Sequence, residues 1–299
     1  MELSDLKVFQ AVVQQGGVTR AARALHRVPS NVSTRIKQLE EDLDVHLFLR
    51  EGKQMQLTPQ GKLLLDYATR LLALAEEARG AMHDNKPTGV LQLGAMESTA
   101  AMRLPSLLSA LHARYPEMSV ELRTGPPRPL TAKVLAGELD AALVAEPVSD
   151  PRLSAVLAYV EELVLIAPAD HAPIRSARDM QQTALLAFEP DCPHRGLLLA
   201  WCAQGKVAPQ RIIELGSYHA MLGCCVAGMG VALIPAAILE TYTERARLSV
   251  HTLPRPFQTM RIQLIWRKGA PQPKVNALMG FLTQDGTPRV RKPAIRRAA

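Results

Sequence analysis

Aromatic side chains make up only 4% of the 299 residues, so any core must be built from aliphatic side chains and alanine. Cysteine is also scarce, with four residues at Cys192, Cys202, Cys224 and Cys225. None forms a CxxC pair or stands at a zinc-site spacing from histidine, so no metal is expected. Adjacent Cys224 and Cys225 lie in an apolar run and read as buried thiols in a reducing compartment. No run of about 18 apolar residues occurs, so no membrane-spanning helix is expected. The opening MELSDLKVF carries acids early and no basic segment, unlike a signal peptide. HExxH, GxSxG and Walker loops are absent, and with them the commonest signatures of catalysis and of a nucleotide cofactor. These absences together point to a cytoplasmic protein that is not an enzyme and binds no cofactor.

What is present is a globular composition, 47% hydrophobic, on a chain long enough for two or three domains. The net charge of +7 suits a nucleic-acid partner. Its distribution says more. Between Gly16 and Leu39 there is no acid, yet Arg20, Arg23, Arg27, Arg35 and Lys37 all fall there. A second basic cluster, Arg289, Arg291, Lys292, Arg296 and Arg297, sits in a proline-containing, aperiodic tail that reads as a disordered extension over residues 286–299.

The first 58 residues carry a helix-turn-helix pattern. LSDLKVFQAVVQQ places Leu6, Phe9 and Val13 on one face, and Gly16-Gly17 stops that helix. VTRAARALH is a second short helix whose Ala21 and Ala22 allow close approach. Pro29 opens a third helix running to Leu43, with Val32, Ile36, Leu39 and Leu43 on a narrow stripe. LFLREGKQMQL then alternates about a turn, as the hairpin wing of a winged helix does. Thr58-Pro59 signals a long helix over 59–83, part of a linker over 59–88. Leu64, Tyr67, Leu71, Leu74, Ala78 and Ala81 step by three and four along it, an a/d seam that suits dimerisation.

From Gly89 the texture changes to strands alternating with helices, which predicts a parallel sheet in two lobes. The first lobe is expected over about 89–162 and 269–285, the second over about 163–268. The fold class is therefore α/β multidomain: a winged helix-turn-helix, a dimerisation helix, and a two-lobed domain of the periplasmic-binding-protein kind.

Residues 16–65, GGVTRAARALHRVPSNVSTRIKQLEEDLDVHLFLREGKQMQLTPQGKLLL, resemble the DNA-binding domain of the LysR-type transcriptional regulators. The matching positions are the Ala21-Ala22 pair, Leu25-His26, Val32-Ser33, Ile36, Leu39-Glu40, Leu43, Leu47-Phe48, Arg50 and Thr58-Pro59-x-Gly61. STAAMRLPSLL, GELDAALVAEP, EELVLIAP and GMGVALIP resemble the family's effector-binding domain, so the likeness runs to about residue 285. It implies a homotetramer that binds promoter DNA as dimerised winged helices, responds to a small-molecule effector, and meets RNA polymerase where the output is activation. Two positions depart from the family's pattern. Asp44 stands where glycine is common, and aspartate adopts the left-handed conformation more readily than most residues. VPSN at 28–31 replaces the family's frequent Ser-Gln-Pro-Ala, so the operator sequence does not carry over.

The polar side of the third helix is suited to a major groove. Ser30, Asn31, Ser33, Thr34 and Arg35 can bond base edges from its N-terminal turns. Arg20, Arg23, Lys37, Arg50 and Lys53 suit phosphates, which position without specifying. A solvated helix with ordinary charge scatter is the plainer alternative, and the wing and the seam weigh against it. For the effector, ligands bind beyond the carboxyl ends of parallel strands. That selects Ser98 and Thr99, where a helix begins, and Cys192, His194, Arg195, Ser217 and His219 across the cleft. Helix caps and surface groups are the alternative reading of the same residues. Arg195 as a carboxylate clamp, with the helix start at Ser98, suggests a small anionic metabolite. A thiol nucleophile at Cys192 with His194 or His219 as base lacks an orienting acid in sequence and is disfavoured.

Overall fold

The computed structural model describes residues 1–51, 54–82, 87–181, 183–269 and 272–284. Lys53 and the basic tail over 286–299 lie outside them. The chain falls into two compact units, one built mainly on Met1–Lys86 and one mainly on Pro87–Leu135 and Leu139–Lys268.

The first unit runs α1 (Leu3–Gln15), α2 (Val18–Ala24), α3 (Pro29–Leu43), β1 (Phe48–Glu51), β2 (Gln54–Leu57) and α4 (Pro59–Met82). Its core joins Leu6, Phe9, Val12, Ala21, Ala22, Val32, Ile36, Leu39 and Leu47. Each fully buried Leu or Phe in such a core contributes roughly 1.5–3 kcal/mol. Gly16 (φ 65°) ends α1, and the Gly17 N–H returns to the Val12 carbonyl at 3.0 Å. Asp44 takes the left-handed conformation (φ 51°, ψ 40°) at the end of α3. The wing is antiparallel, from Phe48 opposite Leu57 to Glu51 opposite Gln54.

Two polar residues set the wing's root. Glu40 Oε1 accepts from the Leu47 N–H at 2.7 Å and from the Phe48 N–H at 3.3 Å. The buried Thr58 hydroxyl donates to the His46 carbonyl at 2.7 Å and accepts from the Gly61 N–H at 2.9 Å. Gly61 lies so close to the wing that a Cβ there would stand 2.2 Å from the Leu47 carbonyl oxygen. The Thr-Pro-x-Gly signature is therefore a joint between wing and helix.

The a/d seam expected on α4 divides into two stripes. Leu64 and Leu65 pack on the first unit's core beside buried Ala68 and Leu72. Leu63, Tyr67, Leu71 and Leu74 are exposed at 59%, 50%, 37% and 57%. Leu64 is thus corrected from the seam to the core. The 3.6-residue period carries both stripes at once, so spacing alone does not separate them.

The second unit runs β3 (Gly89–Ala95), α5 (Glu97–Met102), α6 (Leu104–Arg114), β4 (Met118–Thr124), α7 (Pro127–Ala136), β5 (Ala141–Ala145) and β6 (Leu153–Pro168). It continues with β7 (Leu185–Ala187), α8 (Pro193–Gln204), β8 (Ile212–Glu214), α9 (Tyr218–Val226), β9 (Val231–Pro235), α10 (Ala236–Glu240), β10 (Leu248–His251), β11 (Thr259–Arg267) and α11 (Pro273–Gln284). The strand order is β4-β3-β5-β11-β6-β9-β7-β8, with β10 also on β6.

The sheet is mixed rather than parallel. β3 is parallel to β4 and β5, and β7 to β8 and β9, so each lobe keeps a three-stranded parallel core. β11 runs antiparallel between β5 and β6, and β6 pairs antiparallel with β9 and β10. β6 is the shared strand: its first part, to Glu162, pairs β11 and its last part, from Leu163, pairs β9. Strand β11 therefore belongs to the first lobe's sheet, where sequence texture had assigned it to the second. α5 and α6 are separate helices that meet at Arg103, because Pro105 supplies no N–H to a continuous ladder.

Candidate functional site

On α3 the apolar stripe is buried, with Val32 at 0%, Ile36 at 5% and Leu39 at 2% exposure. Ser30, Asn31, Ser33, Thr34, Lys37 and Gln38 are exposed, as is Arg23 on α2. The N-terminal turns of α3 thus offer short hydrogen-bonding side chains on a rigid helix. Lys37 forms an exposed pair with Glu41 at 3.3 Å, which solvent leaves weak and exchangeable.

Two of the expected DNA contacts have structural partners instead. Arg35 is half-buried, and its Nη1 donates to Ser4 Oγ at 2.9 Å and to Asp5 Oδ1 at 2.5 Å. It braces α3 against the start of α1 and is corrected from base reader to brace. Arg20 folds back on the end of α1, donating from Nε to the Gln15 carbonyl and from Nη2 to the Gly16 carbonyl at 2.7 Å. A cation there complements the C-terminal end of the helix dipole. Arg50 stands on β1 opposite Met55.

In the second unit a cavity of about 200 Å³ opens at the carboxyl ends of the parallel strands. Met96, Glu97 and Ser98 line it after β3, and Thr124, Gly125, Pro126 and Pro127 after β4. Phe188, Glu189, Cys192, Pro193 and His194 line it after β7, and Gly216 and Tyr218 after β8. Strand ends from both lobes converge there, as the topology rule requires.

Beneath this wall lies a carboxylate that the sequence reading missed. Glu161 on β6 is 4% exposed. The Ser98 hydroxyl donates to its Oε1 at 3.3 Å, and His194 Nε2 lies 3.7 Å from its Oε2. On the other edge of the ring, His194 Nδ1 is 3.3 Å from the Tyr218 hydroxyl and 3.8 Å from Cys192 Sγ. Burial by itself would lower the imidazole, but the neighbouring Cys192 and Glu161 outweigh it and push His194 up to about 9. Burial also lifts the Tyr218 phenol well above its ordinary value, so it stays neutral.

Of the residues expected at the effector site, Ser98, Cys192 and His194 border the cavity. Thr99 is fully buried behind it. Ser217 caps α9 by accepting from the Ala220 N–H at 3.2 Å, and His219 is exposed outside the lining. Arg195 is corrected. Its Nη1 donates to the Phe188 carbonyl at 2.8 Å and to Glu214 Oε2 at 3.0 Å, so it does not face the cavity as a carboxylate clamp. The cation on which an anionic effector was inferred is thereby already paired. Beyond Glu161, the sequence reading also passed over Glu97, Thr124–Pro127, Phe188, Glu189 and Tyr218. A usable signal existed for Glu161, which alternates in phase with buried Leu163 and Leu165 on β6 while Glu162 points outward.

The fold and these sites define a winged-helix DNA-binding module joined in one chain to a two-lobed ligand-binding domain. The chain belongs to the LysR family of bacterial transcriptional regulators. Residues 3–62 match the family's bacterial regulatory helix-turn-helix protein domain, and residues 84–287 match the LysR substrate binding domain. The chain is 38% identical over 268 residues to the HTH-type transcriptional regulator YofA of Bacillus velezensis, covering 89% of this chain and 92% of that one. It is 35% identical to the regulator GltR of Bacillus subtilis, over 90% and 91% of the two chains. Its fold matches a full-length OxyR variant from Pseudomonas aeruginosa with a TM-score of 0.74 at 23% identity, covering 94% of each chain. It matches full-length CbnR complexed with its target DNA with a TM-score of 0.69 at 22% identity, over 95% and 99%. The protein is a DNA-binding transcriptional regulator with an effector-binding domain. Among the described residues no helix is long and apolar enough to cross a membrane.

Proposed function

We propose that Ser30, Asn31, Ser33 and Thr34 read base edges in a major groove, while Arg23, Lys37, Arg50 and Lys53 hold phosphates. The observation that carries this is the exposed polar face of the first turns of α3 over the buried Val32, Ile36 and Leu39. Short hydroxyl and amide side chains at a helix N-terminus are what base readout uses. The exposed stripe Leu63, Tyr67, Leu71 and Leu74 pairs two chains, so that two winged helices span two half-sites of an interrupted palindrome. Further pairing to a tetramer, contact with RNA polymerase where the output is activation, and a cytoplasmic, non-catalytic life belong to the same reading.

The effector binds the cavity at the strand ends and changes the relative orientation of the two lobes, and through it the bend imposed on the promoter. Such a shift requires that the effector bind the two states with different affinity. The experiment is a salt titration of operator binding by Thr34→Ala and Lys53→Ala. Thr34→Ala is expected to weaken binding chiefly on the specific site. Lys53→Ala is expected to weaken it on all duplexes and to flatten the salt dependence by about one ion. If neither variant binds duplex DNA more weakly, the assignment of these residues fails.

A further inference from the structure

Cys192 is the residue at which α8 begins, half-buried on the cavity wall, and its thiol makes no cap hydrogen bond. Its Sγ lies 3.8 Å from His194 Nδ1, and the opposite ring nitrogen, Nε2, lies 3.7 Å from Glu161 Oε2. Ser98 in turn donates to Glu161 Oε1 at 3.3 Å. The order is that of a nucleophile, a ring that can move its proton, and an acid that orients the ring. The acid whose absence from the sequence pattern spoke against a thiol nucleophile is thus supplied by Glu161 on β6. His194 and Glu161 are each 4% exposed, so water competes little for these contacts. Burial opposes a charged ring, but Cys192 and Glu161 outweigh it and push His194 up to about 9, so near neutral pH the ring has a proton to give. Met96, Pro126, Pro127, Phe188 and Tyr218 give the cavity of about 200 Å³ apolar surface beside the thiol.

We propose that Cys192 is a covalent modification site for a compact conjugated carbonyl compound, an enone or enal, taken up in this cavity. The inference rests on the cavity being the effector site and assigns the bond that its ligand makes. Sulfur bonds the β-carbon as the C=C pair shifts toward the carbonyl, while His194 gives its Nδ1 proton to the α-carbon and takes the thiol's. The S–H has then added across the C=C, so nothing is oxidised, reduced or released. The negative charge that develops in this step arises beside the N-terminal turn of α8, the positive end of that helix's dipole. A neutral carbon body suits the walls: it buries apolar surface on Met96 and Phe188 and asks no counter-charge of Glu97 and Glu189. The volume of about 200 Å³ restricts that body to a short chain or a single ring.

The test is the reaction of the full-length chain with cyclohexenone, with cyclohexanone, which lacks the C=C, as its unreactive match. Adducts are followed by intact mass and located by peptide mapping. One adduct per chain is expected, at Cys192, formed about 100-fold faster than at Cys224, which is also half-buried and serves as the internal reference. Its rate should saturate with cyclohexenone, cyclohexanone should slow it, and concentrated urea should erase the difference from Cys224. His194→Gln with Glu161→Gln removes both buried charges together. That pair is expected to slow the reaction at Cys192 by about 100-fold without speeding it at buried Cys202 and Cys225, as unfolding would. Equal rates at Cys192 and Cys224, a difference that persists in urea, or a Cys192 rate indifferent to the double change each overturns the proposal. So does a rate that neither saturates nor yields to cyclohexanone, because the thiol then reacts without a binding site. Each of these results leaves the cavity open to an effector bound reversibly. An adduct at Cys192 that leaves affinity for duplex DNA unchanged, read by fluorescence anisotropy, upholds the modification site and overturns the cavity as the effector site.

Discussion

The Ser98 hydroxyl and the Glu161 carboxylate meet at 3.3 Å, both almost fully buried, at the foot of the cavity. Ser98 opens α5 in the first lobe, and Glu161 stands on the strand that both lobes share. His194, from the second lobe's α8, reaches the same carboxylate at 3.7 Å. One buried acid thus joins the first turns of two helices that border the cavity. A buried charge is tolerated only with partners, so removing any of the three exposes the others to a desolvation penalty.

That triad makes stability depend on pH. His194 titrates at about 9 in the folded chain, against about 6.5 for an unperturbed histidine. The folded pKa is the higher, so the protonated ring's contribution is complete below about 6.5 and is lost as pH rises through about 9. Cys192 and Glu161 together hold the proton on His194, and Glu161→Gln keeps an acceptor for Ser98 but removes the carboxylate's share. The expected outcome is a Tm deficit for Glu161→Gln that is large near pH 7 and shrinks above pH 9. Differential scanning fluorimetry from pH 6 to 10 reads it directly, and parallel Tm curves for the two proteins would contradict it.

The sequence carried the first unit almost entirely, because each of its elements has a local cause: Gly16 stops α1, Pro29 starts α3, and Thr58-Pro59 starts α4. The same local reasoning gave the parallel strand ends where the cavity lies. It erred where a residue's partner is distant in sequence. Arg35 answers to Asp5 thirty positions away, and Ser98 to Glu161 sixty-three away, and no periodicity announces either. Arg195 looked like a clamp because α8 opens beside the cavity, but its helical phase turns it to Glu214 on β8. The antiparallel insertion of β11 was illegible for the same reason, since texture tells strand from helix but not which strand is the neighbour.

Glu40 offers a test of how the wing is set. Its carboxylate receives the Leu47 and Phe48 N–H groups as the chain leaves α3 for β1. Glu40→Ala leaves two backbone donors without their acceptor, a loss of roughly 1–3 kcal/mol. Tm should fall accordingly, and hydrogen exchange at Leu47 and Phe48 should speed up while exchange in the second unit stays unchanged. Unaltered exchange at the two amides would show that the contact contributes nothing.

Gly61 tests the joint between wing and helix. An alanine Cβ would stand 2.2 Å from the Leu47 carbonyl oxygen, which is backbone and cannot swing aside. The Thr58 N–H donates to that same oxygen at 3.0 Å, so relief of the clash must loosen the hydrogen bond. Gly61→Ala should therefore destabilise the first unit by about 1–3 kcal/mol, the range for overpacking. Because helix propensity favours alanine over glycine by up to about 1 kcal/mol, a net gain in stability would refute the joint.

The last test separates bracing from DNA contact among the arginines. Arg35 and Arg23 both lie in the acid-free stretch and are equal to a reader of composition alone. Arg35 is tied to Ser4 and Asp5, whereas Arg23 is exposed in the last turn of α2. Arg35→Ala should lower stability by about 1–2 kcal/mol, because a partly buried, hydrogen-bonded ion pair is lost. Arg23→Ala should leave Tm within the scatter of surface substitutions, about 0.5 kcal/mol. It should instead weaken binding to any duplex and reduce the slope of log affinity against log salt by about one. The assay is one pair of measurements on each variant, chemical denaturation and a salt series of fluorescence anisotropy on labelled duplex. If Arg35→Ala is as stable as the parent chain and flattens the salt slope, the two roles are exchanged, and Arg35 faces phosphate when DNA is bound.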